Sequence, residues 1–311
     1  MKNMEQCFFE SMRSDDSNFN KNIKMRKQSG ENKINGNFET QLLGKNIWIS
    51  TLEWMFNSHQ VLGFEDEDSL LKAITLLIKY IIAKKEKNQN FLCENSFRRL
   101  KLISICIMWI CSKLYDTQQV SLSAIVKKFI FSEEFTIKEI LDMEIDVLQT
   151  MNFKIILDSQ QDEAVLIMKS LLYDPKSPKF NSFENESLVQ NIKIGYLCML
   201  LDINYYCIDY THISLALVML SLKILAIQYD MKQTNIDEVN EDKMQLIKQG
   251  VRFLRKKYEI DKNDMIKVKQ IMRKVKNDCL TVEKQSSKLF NFIQQNQYFR
   301  IVRKTLNSLN K

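Results

Sequence analysis

Two stretches of this sequence leave a helix no side to show to water. Leu102, Ile103, Ile105, Cys106, Ile107, Met108, Trp109 and Ile110 surround one helical cylinder, and Leu215, Leu217, Val218, Met219, Leu220, Leu222, Ile224 and Leu225 surround another. A helix that is apolar all round has to be enclosed by other elements. Only a few neighbours fit around one such helix. Two of them, about 110 residues apart, therefore call for two similar helical lobes joined near Phe153–Gln160. The chain has 311 residues, 45% of them hydrophobic, enough for two cores. With 6 Gly and 2 Pro it lacks the turn chemistry of a sandwich, barrel or many-stranded sheet. The nearly uncharged runs Leu102–Ser112 and Leu215–Ile227, the latter carrying Lys223, are shorter than the ~20 residues of a membrane span. Met1–Met12 has no secretory apolar region. No membrane association is expected.

The remaining elements follow from period and caps. Residues 1–37 are rich in Asn, Lys, Ser and Gln and read as a mostly disordered arm around Cys7-Phe8-Phe9 and Met12. A first core helix lies between Leu42 and Val61, with a stop at Gly63; acidic residues from Glu65 precede a second over Leu70–Ala83. Asn95-Ser96 can cap the enclosed helix. Leu122–Phe131 follows, then a helix opened by Thr136 and Glu139 at capping-box spacing. Beyond the joint come Ser159–Leu172, a loop holding Pro175 and Pro178, Glu186–Leu201, Thr211–Tyr229, and the basic amphipathic helices Asp242–Lys257 and Asn263–Asp278. The expected organisation is all-α: a flexible arm (1–39), two tandem five-helix lobes (40–156 and 157–280) and a C-terminal tail (281–311).

The formal charge is +7, but Lys and Asp/Glu alternate, so the charge reads as solvated surface. Arg252, Arg255, Lys256, Lys257, Lys267, Lys269, Arg273 and Lys274 could touch phosphates, yet Glu241, Asp242, Glu259, Asp261 and Asp264 dilute them. A nucleic-acid partner is not expected. Seven cysteines without a C-x-x-C pair, Cys106, Cys111, Cys198 and Cys207 among them in apolar stretches, read as reduced thiols of an intracellular protein. His59 and His212 are the only histidines. Histidine-based zinc sites and Ser-His-Asp catalysis lack raw material, and no glycine loop for phosphate is present. No cofactor, no metal and no enzymatic activity are expected.

Glu144 is the sharpest single clue. At 100° per residue Ile137, Ile140, Leu141, Val147, Leu148 and Met151 share one stripe, and Glu144 falls near its centre. A carboxylate facing a core needs a cation and hydrogen bonds. Lys113, the first charge after the uncharged run, is the natural partner, and the two should meet at the lobe surface. Two readings stay open on these grounds: an internal structural salt bridge, or a polar pair in an apolar surface awaiting a partner.

The stretch Leu100-Lys101-Leu102-Ile103 through Ile110-Cys111-Ser112-Lys113-Leu114-Tyr115-Asp116 resembles the central helix of the cyclin box. Phe135-Thr136 through Asp142-Met143-Glu144, Val147-Leu148 and Met151-Asn152-Phe153-Lys154-Ile155 resembles its fifth helix. The likeness is nearest to A- and B-type cyclins and extends over about residues 40–275. It implies a non-catalytic subunit that binds a cyclin-dependent protein kinase as a heterodimer and activates it, in cell-cycle control, in the nucleus, the cytoplasm or both. It also implies that Lys113 and Glu144 hydrogen-bond the regulatory helix of the kinase, with Leu114, Leu148, Phe153 and Ile155 as the apolar part of the contact. The family's substrate-docking patch would survive only in degenerate form: Trp54 and Glu53 remain, Ser50 and Thr51 replace two aliphatics, and Lys101 stands where the family has glutamine. Ser177-Pro178-Lys179 is a minimal proline-directed phosphorylation site in a loop expected to be exposed. The alternatives are a nucleic-acid-binding transcription factor of the same fold and a helical scaffold without a kinase partner.

Overall fold

The computed structural model describes residues 43–63, 67–87, 96–116, 120–130, 135–155, 158–177, 179–231, 237–294 and 297–308; the expected N-terminal arm lies outside them. The described residues form twelve α-helices and one short 3-10 turn, with no strand among them. The first lobe comprises α1 (Lys45–Leu62), α2 (Glu67–Lys87), α3 (Ser96–Tyr115), α4 (Leu122–Ile130) and α5 (Ile137–Thr150). The second comprises α6 (Gln160–Tyr173), α7 (Ser182–Met199), the 3-10 turn Ile203–Cys207, α8 (Tyr210–Met231), α9 (Asp237–Lys257) and α10 (Lys262–Gln285). Two more helices follow, α11 (Ser287–Gln294) and α12 (Gln297–Ser308).

The two apolar helices are the centres of their lobes. α3 packs against α1, α2 and α5, and Leu100, Ile103, Ile105, Cys106 and Ile107 are fully buried. α8 packs against α6, α7, α9 and α10. Its Tyr210–Gln228 stretch is long and apolar enough to cross a membrane, but most of it is buried in the fold, so its apolar surface is matched by helices here. Gly195 of α7 allows the close approach to α8: a Cβ there would lie 3.0 Å from the Leu217 side chain.

Local signals account for several helix ends. Gly63 stops α1 in the left-handed region at φ 72, its N–H bonded to the Gln60 carbonyl. Reciprocal capping boxes open α5 (Thr136 with Glu139), α6 (Ser159 with Asp162) and α7 (Asn181 with Glu184). The box at Asn181 explains why α7 begins four residues before the expected Glu186. The loop ahead of it is exposed at Pro175, Lys176 and Lys179, but the serine of the expected phosphorylation site is not. Ser177 is buried at 6% exposure; its N–H bonds the Asp174 carbonyl, and Lys257 of α9 lies 3.5 Å from the Asp174 carboxylate.

The lobes meet through a seam of polar contacts. Trp48 of α1 is completely buried, and its indole Nε1–H donates to the Leu200 carbonyl of the second lobe at 2.7 Å. Thr75 Oγ1 and Tyr196 Oη lie 2.9 Å apart, and Tyr196 Oη and Tyr206 Oη 2.8 Å apart. Lys72 and Asp162 add an ion pair across the same joint. The segment expected as a C-terminal tail carries α11 and α12. α12 lies on α7 and α8, and α11 reaches back to α1, where Ser286 Oγ donates to Glu53 Oε1 at 2.9 Å.

In the second lobe His212 bridges two carboxylates, with Nδ1 3.1 Å from Asp209 and Nε2 2.9 Å from Asp264 at the start of α10. The Asp209 hydrogen bond raises its pKa, burial opposes, and Asp264 adds to the rise. The charged imidazolium is therefore favoured in the folded state. Its contribution to stability is fully present below the ordinary histidine value of about 6.5 and is lost as pH rises through the higher folded-state value. Denaturant titrations from about pH 6 to about pH 9 should show that decline, and His212→Gln should flatten it. Trp48→Phe should lower unfolding free energy by about 1–3 kcal/mol, because the Leu200 carbonyl loses its buried donor.

Candidate functional site

Helix α5 has two apolar faces, and Glu144 stands at their seam. Ile140 and Val147 are buried in the lobe core, with Met143 and Met151 packed against it. Turning further round the helix past Glu144, Ile137, Leu141 and Ile145 follow one another at i, i+4 and i+8, all exposed. The single stripe expected from the sequence is thus divided: it was too wide for one helix contact, and Ile137 and Leu141 fall on the outer half. Leu148, at the edge between the halves, is half-buried.

Three polar anchors hold α5 in this orientation. Arg98 of α3 bonds Glu139 at 2.7 Å. Tyr80 and Lys84 of α2 both bond Asp146, each at 2.5 Å; burial works to raise the Asp146 pKa, but these bonds outweigh it and hold the carboxyl below the usual range. Between them Lys113, in the last turn of α3, forms an ion pair with Glu144. The side chains of Lys113 and Glu144 keep 33% and 18% of their exposure. The pair therefore sits at the lobe surface, neither sealed in the core nor free in water. The Lys113 ammonium also lies 3.7 Å from the centre of the Trp109 ring. Below the pair, burial and then the Glu144 charge push the Cys106 thiol far above its ordinary pKa, which keeps it neutral.

The other expected contact residues divide by exposure. Leu114 follows Lys113 and is 43% exposed. Phe153 is 70% exposed, held in the left-handed region at φ 58 directly after Asn152 at φ 49. Its N–H reaches back 2.8 Å to the Leu148 carbonyl and closes α5. Two consecutive non-glycine residues with positive φ carry a cost that the surroundings must impose. Ile155 is half-buried against the core. Away from this face, Trp54 is also half-buried, with the Lys101 ammonium 5.9 Å from its ring centre and 4.9 Å from that of Phe97. Glu53 is engaged by Ser286, so the residues of the degenerate docking patch already have partners within the chain.

Sequence reasoning missed the exposure of Ile145 and the stacking of Lys113 on Trp109. The i, i+4 spacing of Trp109 and Lys113 is the signal that could have found the second. Of the basic side chains weighed for phosphate contact, Lys257 pairs with Asp174, Lys267 with Asp264 and Lys274 with Asp202. No group of three or more His, Cys, Asp or Glu is placed to hold a metal among the described residues.

Residues 20–156 match the family model for the cyclin N-terminal domain. No curated protein matches the chain. A cyclin-fold domain is therefore present, and it contains α1–α5 and the whole of the Lys113–Glu144 face. The match is consistent with a non-catalytic regulatory protein.

An ion pair that keeps part of its exposure contributes less to folding than a sealed one, whose loss leaves a fully buried charge. Lys113→Met should lower the unfolding free energy of the free chain by at most about 1 kcal/mol in a denaturant titration. A loss of about 3–5 kcal/mol would instead mark the pair as an internal strut.

Proposed function

We propose that this chain, which carries a cyclin-fold domain, is the regulatory subunit of a cyclin-dependent protein kinase and activates it through the α3–α5 face. The observation that carries this reading is a partly exposed ion pair, Lys113–Glu144, set beside solvent-facing apolar side chains. Apolar residues concentrated around a partly hydrated polar pair suit a partner that completes their burial. Leu114, Ile137, Leu141, Ile145 and Phe153 supply the apolar area, with Leu148 and Ile155 at its edge. The pair supplies orientation, because a partner that failed to match its hydrogen bonds would leave charges buried without compensation.

In a protein kinase a Lys–Glu ion pair must form before phosphoryl transfer, and the Glu is carried by a movable helix. A rigid face that binds the inward position of that helix shifts the population toward the active state. The chain supplies no catalytic group in this scheme. The reading places its work inside the cell, in the nucleus, the cytoplasm or both, in control of cell division. Docking of substrates through Trp54, Glu53 and Lys101 is not required by it.

The test is affinity capture of kinases from native cell extract, followed by a kinase assay on the eluate. Wild type should capture an active kinase, and Lys113→Ala/Glu144→Ala should lose about 2–5 kcal/mol of binding while remaining folded. Equal capture by both proteins, or no kinase with either, would sink the proposal. Phe153→Ala should weaken capture roughly tenfold or more with an unchanged thermal midpoint, since so exposed a ring contributes little to folding.

A further inference from the structure

Lys113 carries a long, flexible side chain, yet its ammonium is placed by two groups at once. One is the Glu144 carboxylate on α5; the other is the face of Trp109, one turn earlier on α3, 3.7 Å from ammonium to ring centre. The ring cannot easily move aside. It is half-buried against the core, and its Nε1–H donates to the Val120 carbonyl at 3.1 Å, just ahead of α4. The Ser112 hydroxyl bonds the Trp109 carbonyl at 3.0 Å and tightens the same turn.

A cation over an aromatic face is attracted by the ring's quadrupole, and the attraction strengthens as water is excluded. Indole is the best of the natural platforms. The arrangement therefore differs from simple filling of space: leucine would occupy much of the same volume and leave the ammonium free to turn into solvent. Holding the cation in advance removes the conformational loss that a flexible lysine would otherwise bring to binding.

We propose that Trp109 is a positioning residue whose ring holds the Lys113 ammonium against Glu144 in the free chain, so that the docking face is formed before a partner arrives. The consequence for kinase binding rests on the function proposed above; the holding of Lys113 does not. Of the three tryptophans, Trp48 belongs to the lobe joint and Trp54 lies under Lys101, so the role falls to Trp109 alone.

Two measurements on the full chain test it. The first is the carbon–proton spectrum of the free protein labelled in the lysine ε-position, with the Lys113 signal assigned by its disappearance in Lys113→Arg. The Lys113 ε-protons should be shifted upfield by the ring current and should return to the ordinary lysine position in Trp109→Leu. An unshifted Lys113 signal in the wild type overturns the proposal. The second is kinase capture by chains carrying tryptophan, monofluoro-, difluoro- or tetrafluorotryptophan at position 109, which differ little in size but progressively weaken the ring face. Affinity should fall stepwise, roughly two- to thirtyfold over the series, and the series should be flat in a Lys113→Met background. A flat series in the wild-type background overturns the part of the proposal that concerns binding. If the wild type captures no kinase, the functional reading fails, and the spectrum still decides whether Trp109 holds Lys113.

Discussion

The enclosure of α3 and α8 is the constraint on which the rest of the molecule depends. Each helix presents apolar side chains on every side, and each has to be walled in by helices that bring a buried face of their own. The ring around α3 sets α5 beside it, and that adjacency brings Lys113 of one helix to Glu144 of the other. The ring around α8 builds a second body of the same kind. Its α6 and α7 ends then supply the groups that bond the first lobe, the Leu200 carbonyl and Tyr196 among them. The polar seam matters because apolar surfaces alone would let the lobes slide, whereas a buried indole donor has to find its acceptor.

The face carried by α5 depends on a balance between burial and exposure. A sealed Lys–Glu pair would be costly to desolvate and of no use to a partner; a fully hydrated one would contribute little specificity. At the seam between the core face and the outer apolar face, Glu144 keeps part of its water while its helix is fixed by Glu139 and Asp146. The left-handed residues Asn152 and Phe153 end the helix and leave a large ring at its margin. The strain there is tolerable because α5 is anchored on both neighbouring helices.

Much of this was legible along the chain. The capping box at Thr136, the stop at Gly63 and the two enclosed helices were all local patterns, and local patterns survive folding because they need only near neighbours in sequence. The early start of α7 was hidden by a weaker signal, Asn181 three residues before Glu184. Ser177 was misread because loops are mostly at the surface, and the burial of one residue within a loop is set by tertiary packing that no local pattern records. The helices after Gln285 looked like a tail, and their apolar residues Leu289, Ile293, Phe299, Val302 and Leu306 gain meaning only from the surfaces of the helices they cover.

The sequence by itself determined that there are two helical lobes, where several helices begin or end, and that a carboxylate on an apolar stripe requires a cation such as Lys113. Tertiary structure alone decided which half of the α5 stripe faces solvent, that Lys113 lies on Trp109, that Trp48 joins the lobes and that Glu53 is taken by Ser286. The reason is geometric. Helical period assigns each side chain an angle about its own axis, but whether that angle meets another helix or water depends on where the neighbours stand, and that is set by the packing of segments far apart in the chain.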